Sequence, residues 1–515
     1  MARLEGHPIH VFNGIPIEEG WGEDLIYQAD TSGTDHRTMG ALGGLPVVDI
    51  WNATGGIAVF NTQTYQEPLS VNLRYDAQGV TIQAQGASQI EVYKHRGDYY
   101  DAVRKFAMKM RALGLSVQPA PDWAFHANWE TYGYEEDFDL DTIRKKLPLI
   151  EQLGIKTITI DSGWYGRNRG EQFQFNTGDF ALNPNIVGTE QDWRALIKTL
   201  HQRGFRVRLW WSPGVAERDS QLWAKHPEWF ADEVISSTGD TEDIYLRPGE
   251  VQVKNWNKTL IERFLSYGVD GFKQDDIYNY AGKRPQDQIN YANLINSNLS
   301  TAQAIKPDFA INSCNCGLAQ NFYLVPGQNQ LITSDPVGSR QFRHRAKYLH
   351  ALNVNGAAIL GDHVELTRGD VSIDDLDEPS FYNTVDFSSI VPLGMVLQTK
   401  FRDSPGDHYK HWFKIYNDYK FYRMEWVNIP LKPDRPESYL LRDGTQLYFS
   451  FFTQQDGAKF DGQIELLKLT PETEYLVYDI ANDKNLGTFV SAGNSHRLKV
   501  KFTHSLVLCV RPKTN

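Results

Sequence analysis

The sequence predicts an α/β protein: a (β/α)8 barrel set between an N-terminal β-sandwich-like domain and a C-terminal all-β domain. Three observations carry this. Short alternating segments fill the chain up to about Val117, apolar strand candidates alternate with amphipathic helices over the next 300 or so residues, and alternation returns from about Phe421.

In the first region "GIAVF", "LSVNLRY" and "VTIQAQ" are separated by Gly, Asn and Asp, the pattern of an antiparallel sheet. A helically spaced segment, "GDYYDAVRKFAMKMRALG", follows, and "QPAPDW" breaks it. The domain boundaries predicted are therefore 1–118, 119–420 and 421–515. In the middle region the strand candidates are "WAFHANW", "KTITID", "RVRLWW", "VDGFKQD", "FAINSC", "QLITSD", "AAILGD" and "SSIVPLG". Helical stretches such as "DTIRKKLPLIEQLG" and "QDWRALIKTLHQRG" separate them, and eight strands in this arrangement match a (β/α)8 barrel. The closing domain is read from "LYFSFFT", "QIELLKL", "EYLVYDI" and "HSLVLCVRP".

Composition narrows the function. Hydrophobic residues make up 41% and aromatic residues 12% of the chain, enough for a core with rings left over for a ligand surface. A formal net charge of -12 argues against a nucleic-acid partner, because phosphate contacts need clustered Lys and Arg. The three cysteines, Cys314, Cys316 and Cys509, make no disulfide framework, and "CNC" lacks the companion ligands of a zinc site, so no metal is expected. No apolar run reaches the ~20 residues of a membrane span, and the N-terminus has no apolar segment of signal type. A cytoplasmic enzyme acting on a small substrate, with no membrane partner, is the expectation.

Side chains alternate along a strand, so parity assigns faces. In "VDGFKQD" Lys273 and Asp275 share the inner face and Phe272 packs outward; in "KTITID" Thr157, Thr159 and Asp161 face inward. Asp161, Asp275, Cys314, Asp335 and Asp362 all fall at C-terminal strand ends, where barrel enzymes assemble their sites. One such Asp is often only a helix cap. Four at strand ends imply chemistry, and carboxylates in an aromatic-rich hollow without metal ligands suggest glycoside hydrolysis. Asp275 is the expected nucleophile, kept ionised by Lys273 beside it. Asp335 follows a buried strand, precedes a proline and has no base adjacent in sequence, which suits an acid that keeps its proton in a dry, weakly cationic setting. Trp129, Trp164, Trp210 and Trp211 are candidate flat walls for a sugar, with ordinary packing the alternative for each. Asp362 and His363 end the seventh strand candidate within reach of substrate, His363 being equally suited to a helix cap or a packed histidine. Arg247 in "DIYLRPG" is a candidate for holding a hydroxyl or an anion, against a surface ion pair. Asp276 is a secondary nucleophile candidate, and the acidic run "SIDDLDEP" reads as a solvated loop.

The ordered segments "NWETYGY", "LGIKTITIDSGWYG", "TGDFALNP", "RVRLWWSPGV" with "HPEW", "YGVDGFKQDD", "NSCNCG" and "ITSDPVG" resemble the glycoside hydrolase family 36 α-galactosidases, from Trp123 to Arg345. That family shows NWEATYFDF, DDGWF, GDW, LWFEPEM with HPDW, KWD, CxGGG and SDNTD in the same order. The resemblance implies a cofactor-free, retaining exo-α-glycosidase with Asp275 as nucleophile and Asp335 as acid/base. It further implies Lys273 and Asp161 on ring hydroxyls, Trp129 and Trp164 as walls, Cys314 near the 2-hydroxyl, and self-association through the β-domains. Four positions depart: Ser162 replaces the second Asp of DDGW, Ser212 the Glu of LWFEPEM, Gln274 the Trp of KWD, and SDPVG stands for SDNTD. A serine cannot match the charge-assisted bonds of a carboxylate, so the sugar is less determined than the reaction. An α-glucosidase, an α-N-acetylgalactosaminidase, a transglycosidase, or a non-catalytic carbohydrate-binding barrel are the alternatives.

Overall fold

The computed structural model describes the chain apart from residues 18–22, 40–43, 63–67, 87–88, 135–137, 170–171, 175–176, 239–240, 276–284, 316, 336–337, 365–384, 403–405, 433–434 and 514–515. Asp276, Cys316 and the run "SIDDLDEP" lie outside the described residues.

The middle of the chain closes into a barrel of eight parallel strands. In chain order these are Asn128–Glu130, Thr157–Ile160, Arg206–Trp211, Gly271–Gln274, Ala310–Ser313, Gln330–Ile332, Ala358–Val364 and Val396–Thr399, barrel strands 1 to 8. Their outward side chains, among them Ile158, Ile160, Val207, Leu209 and Phe272, are buried in the main hydrophobic core. The helix Leu140–Gln152 answers with Ile143, Leu147 and Ile150, and the helix Glu190–Gln202 with Trp193, Leu196, Ile197 and Leu200, both stripes at helical spacing. Each helix begins where a side chain satisfies its free N–H groups. Asp139 accepts from the Thr142 amide, and Thr189 and Asp192 form a reciprocal capping box.

Two strand expectations are corrected. "WAF" is a 3-10 turn, Asp122–Phe125, so barrel strand 1 is only Asn128–Glu130. "SSIVPLG" is not the eighth strand: Asp386 caps a short helix, Phe387–Ile390, a turn at Val391–Leu393 follows, and Gly394 at φ 72 ends it. The eighth strand is the next apolar stretch, Val396–Thr399. A local side-chain cap overrode the β-branched composition of the segment.

Antiparallel sheets flank the barrel. Before it lie a four-stranded sheet (Ala2–Glu5, Gly79–Gln85, Ser70–Asp76, Gly33–Thr38) and a five-stranded one (Ile26–Gln28, His10–Asn13, Val47–Asn52, Gly55–Asn61, Ile90–His95). After it a six-stranded sheet includes Glu437–Asp443, Gln446–Phe452 and Ser505–Pro512, and the strands Lys459–Leu467 and Ser495–Thr503 pair separately. Among the described residues no helix is long and apolar enough to cross a membrane.

The helix Ser339–Leu352, which follows barrel strand 6, is buried along nearly its whole length and ties all three parts together. Arg343 Nε donates to Glu437 Oε2 at 2.7 Å, and His344 lies 2.8 Å from Asp24 and 3.5 Å from Glu437. Lys347 Nζ donates to Asp98 at 2.6 Å and to the Ile429 carbonyl at 2.7 Å. Burial disfavours charge on the 4% exposed His344, but Asp24 and Glu437 outweigh it and raise the imidazole to about 9. The charged form is therefore favoured by folding, and this contribution, roughly 3 kcal/mol at most, is complete below the ordinary histidine value of 6.5 and is lost as pH rises through about 9. We expect thermal unfolding followed by circular dichroism to show a fall in Tm between pH 6.5 and 9 that His344→Gln flattens; an unchanged pH dependence in that variant would refute the linkage.

Candidate functional site

The acids and lysine of "YGVDGFKQDD" divide by position along barrel strand 4. Asp270, at its N-terminal side, is structural: its carboxylate takes Arg206 Nη1 at 2.8 Å, the Val207 amide at 2.8 Å, His201 Nε2 at 2.9 Å and the Lys306 ammonium. Burial opposes that charge, and the hydrogen bonds from His201 and Lys306 override it, holding the carboxyl well below the usual range. Lys273 and Asp275 stand at the other end, on the inner face.

Lys273 Nζ sits between two carboxylates, 2.8 Å from Glu130 on strand 1 and 2.8 Å from Asp161 after strand 2. Glu130 continues the network to strand 8, accepting from Gln398 Nε2 at 2.8 Å with Lys400 Nζ at 3.4 Å. Lys400 Nζ lies 2.8 Å from Asp362 Oδ1, which also accepts from Gln398 at 3.1 Å and from the His363 amide at 2.9 Å. The ring of Tyr132 stands over both ammonium groups, at 5.4 Å from Lys273 and 4.5 Å from Lys400.

The electrostatics of this buried group are asymmetric. Burial pushes Asp161 up, and neighbouring Glu130 pushes it further, so Asp161 keeps a proton well above the usual carboxylate range. Burial also penalises Glu130, but the charges of Lys273 and Lys400 overcome it and hold Glu130 ionised. Both lysines are raised by the carboxylates around them against the cost of burial.

Asp275 follows strand 4; its amide donates to the Trp211 carbonyl at 3.1 Å and its Oδ2 accepts from Trp210 Nε1 at 2.9 Å. Trp210 is in register with Lys273 on the neighbouring strand and stacks on Tyr165 at 5.5 Å. Cys314, after strand 5, donates its amide to the Gln274 carbonyl at 2.7 Å, and its Sγ lies 3.6 Å from Ser334 Oγ. Asp335, after strand 6, has its Oδ1 3.1 Å from His363 Nε2. Cys314, Asp335 and Asp362 each offer an atom within 4.8 Å of the other two. Ser334 (φ 61) and His363 (φ 57) both take the left-handed backbone region, and a register shift separates Gly361 from Val364 in the pairing of strands 7 and 8. These strained residues, costing on the order of 1 kcal/mol each, directly precede Asp335 and follow Asp362.

Several expectations are corrected. Trp129 is 0% exposed on the outer face, donating to the Phe401 carbonyl at 3.1 Å, because Asn128 and Glu130 take the inward parity. Trp164 is equally buried, donating to the Trp210 carbonyl at 2.9 Å and stacked on Trp193, and Trp211 packs on Phe264 and Phe272. None of the three walls the site; among the described residues Trp210 and Tyr132 bring aromatic rings there. Arg247 is exposed beside the sheet formed by Val215–Glu217, Phe230–Thr238 and Thr241–Leu246, and its Nε donates to the Phe230 carbonyl at 2.6 Å. Among the described residues its side chain is tied to that sheet and not to the cluster. The setting of Asp335 is not weakly cationic: burial pushes its carboxyl up, but the hydrogen bond and charge of His363, then Lys400 and Lys273, bring it below the ordinary value.

Sequence reasoning missed Glu130, Tyr132, Gln398 and Lys400. Parity within "NWE" pointed to Glu130 once the strand is known to start at Asn128. Gln398 and Lys400 were hidden by the misplaced eighth strand.

A family model described as Melibiase matches residues 105–265, which reaches through barrel strand 3 and stops short of both Asp275 and Asp335. A curated protein of Flavonifractor plautii, "A type blood alpha-D-galactosamine galactosaminidase", is 27% identical over 497 residues, covering 88% of this chain and 43% of that protein. The "Bifunctional alpha-galactosidase/sucrose kinase AgaSK" of Mediterraneibacter gnavus is 24% identical over 35% of this chain and 18% of its own length. The chain thus spans less than half the length of these curated relatives. Among solved structures, the GH36 α-galactosidase AgaA of Geobacillus stearothermophilus superposes with a TM-score of 0.68 at 12% identity, over 98% of this chain and 75% of that one. The α-galactosidase of Lactobacillus brevis gives 0.68 at 12% identity, over 100% and 75%. The fold is that of the GH36 α-galactosidases.

Removing the central cation takes the lysine from Asp161 and leaves Glu130 with Gln398 and Lys400. Lys273→Met is expected to lower the unfolding free energy by about 3–5 kcal/mol in urea titrations, because an unpaired buried charge costs more than the pair contributes. A loss under about 1 kcal/mol would show that the network is not held by Lys273.

Proposed function

We propose that this GH36-like barrel is a retaining exo-α-glycoside hydrolase that releases a terminal α-linked hexose of galactose type, hydroxylated or aminated at C2, from a small glycoside. The observation that carries the reading is the placement of Asp275 and Asp335 after barrel strands 4 and 6, with Cys314 after strand 5 lying between them in strand order. The relatives' names, α-galactosidase and galactosaminidase, support the sugar class.

In the first step an Asp275 oxygen attacks the anomeric carbon from one side of the ring, the bond to the leaving oxygen breaks, and that oxygen takes a proton. Trp210 Nε1, 2.9 Å from Asp275 Oδ2, holds the carboxylate in position. The proton comes from Asp335, whose Oδ1 is positioned by His363 Nε2 at 3.1 Å. In the second step Asp335 accepts a proton from water, the water oxygen bonds to the anomeric carbon, and the ester to Asp275 breaks. Two inversions retain the configuration. The hydrogen bond and charge of His363, which oppose burial and lower the Asp335 carboxyl, favour the carboxylate form that this second, basic role needs.

The Lys273, Asp161 and Glu130 group brings together donors and acceptors of the kind ring hydroxyls need. Burial and Glu130 push the Asp161 carboxyl up, toward the form that can donate as well as accept. In this reading it takes over part of the work that a second carboxylate at position 162 would do.

Asp275→Ala is expected to lower kcat on a nitrophenyl α-galactoside by at least about 10³-fold, with azide restoring turnover and forming the glycosyl azide. Full activity in that variant would end the assignment. Asp335→Ala should slow alkyl glycosides at least about 10²-fold more than nitrophenyl ones, since only the poor leaving group needs protonation; equal loss on both would remove Asp335 from the acid role.

A further inference from the structure

We infer that the chain carries a second ligand site outside the barrel: a cleft between the N-terminal and C-terminal β-domains that takes an organic anion with an apolar body, of the long-chain carboxylate type. The cleft encloses about 900 Å³, a size that holds small molecules. None of the residues lining it belongs to the barrel, so this site stands apart from the hydrolase reading. One wall is the five-stranded sheet of the N-terminal domain, with His10, Trp51 and Arg96 after its last strand. The other is the C-terminal domain, with Leu431, Phe451, Ile464 and Leu467.

The two walls differ in chemistry. The C-terminal wall is apolar: Phe451 and Ile464 belong to the core of that domain, and Leu467 packs half-buried against it. The N-terminal wall holds donors that lack acceptors. Trp51 is 2% exposed and its Nε1 has no hydrogen-bond partner among the described residues, although an indole N–H can only donate. His10 stacks on Trp51 at 5.4 Å, and its Nε2 is likewise buried and unpartnered. Sheet register brings a cation to the same place: Trp51 pairs with Gly56, Gly56 pairs with His95, and Arg96 follows. Arg96 is exposed and has no ion-pair partner among the described residues. At the rim Lys432 and Arg435 share one carboxylate, Glu465, at 3.6 and 3.0 Å, and Glu5 lies 3.6 Å from Arg3. Among its described lining residues the cleft therefore carries three Lys and Arg against two Glu, an excess of positive charge in a chain of net charge -12.

A carboxylate is acceptor-only and so complements an indole N–H and a guanidinium, while a hydrocarbon body covers the facing apolar wall. The opening is held in place from both sides. Asn52 Nδ2 donates to the carbonyls of Glu5 and Gly6 at 2.9 and 3.0 Å, which fixes the N-terminal rim. Across the cleft the Leu431 amide donates to Asp98 at 2.8 Å, and Lys347 Nζ donates to the Ile429 carbonyl at 2.7 Å. A cleft preformed in this way costs little ordering when a ligand enters.

The test titrates a dansyl-labelled undecanoate into the full chain and follows dansyl fluorescence. Saturable binding of one molecule per chain is expected, with a Kd below about 100 µM. Dodecanoate is expected to displace the label at least about tenfold more strongly than dodecanol, because only the acid meets the cations. Arg96→Glu, a change at an exposed side chain, is expected to weaken binding at least about tenfold with the circular dichroism spectrum unchanged. Absence of saturable binding, equal displacement by the acid and the alcohol, or full affinity in the variant would each overturn the inference. Displacement of the label by galactose would place it in the barrel and overturn the inference as well. Should Arg96→Glu alter the dichroism, the comparison of acid with alcohol on the unaltered chain decides.

Discussion

A single ammonium group, Lys273 Nζ, organises the interior of this barrel. It lies on strand 4 and holds Glu130 of strand 1 and Asp161 after strand 2, each at 2.8 Å. Taking three ionisable groups out of water costs several kcal/mol per charge, so they are tolerated only where each meets a partner. The constraint propagates. Glu130 is satisfied by Gln398 and Lys400, Lys400 by Asp362, and Asp362 is followed by His363, whose ring meets Asp335. The positions of groups on strands 1, 2, 4, 7 and 8 are thus coupled through polar pairing, in the way that apolar packing couples the outer faces of the same strands. The pairing also pushes the two acids of this shared site in opposite directions, Asp161 up and Glu130 down.

The outer layer makes that interior possible. Trp129, Trp164, Trp193 and Trp211 fill the space between strands and helices, their indole rings packed on Phe180, Phe264 and Phe401. Interiors packed at this density resist adjustment, so the strand ends hold their spacing. Beyond them the helix Ser339–Leu352 links the acid-bearing loop to both flanking sheets through Arg343, His344 and Lys347. Arg345 on the same helix donates to the backbone of Thr333 and Asp335. The orientation of Asp335 is therefore tied to contacts with residues as distant in sequence as Asp24 and Glu437. The left-handed conformations of Ser334 and His363 are sustained by this surrounding order.

How much of this was legible beforehand depended on whether the signal was local. The barrel, its helices and most of its strands follow from apolar periodicity and caps, and the comparison with solved structures bears out that architecture. Parity placed Lys273, Asp275 and Asp161 on the inner face, because alternation is a property of the backbone itself. It would have excluded Trp129 and included Glu130 had the first strand been started at Asn128 and not in the turn at Asp122–Phe125. The eighth strand was lost because "SSIVPLG" carries a strand composition but a helix cap, and with it went Gln398 and Lys400.

The amino-acid sequence alone determined the fold class, the strand ends that carry acids, and the order in which those acids meet the mouth of the barrel, since each depends on spacing along one segment. Tertiary structure alone decided which acid is paired with which cation, that His363 stands against Asp335, and that Lys400 reaches from strand 8 to both Glu130 and Asp362. Those facts are relations between strands far apart in the chain, and the energies that settle them, burial and Coulomb pairing, exist only once the barrel has closed and excluded water.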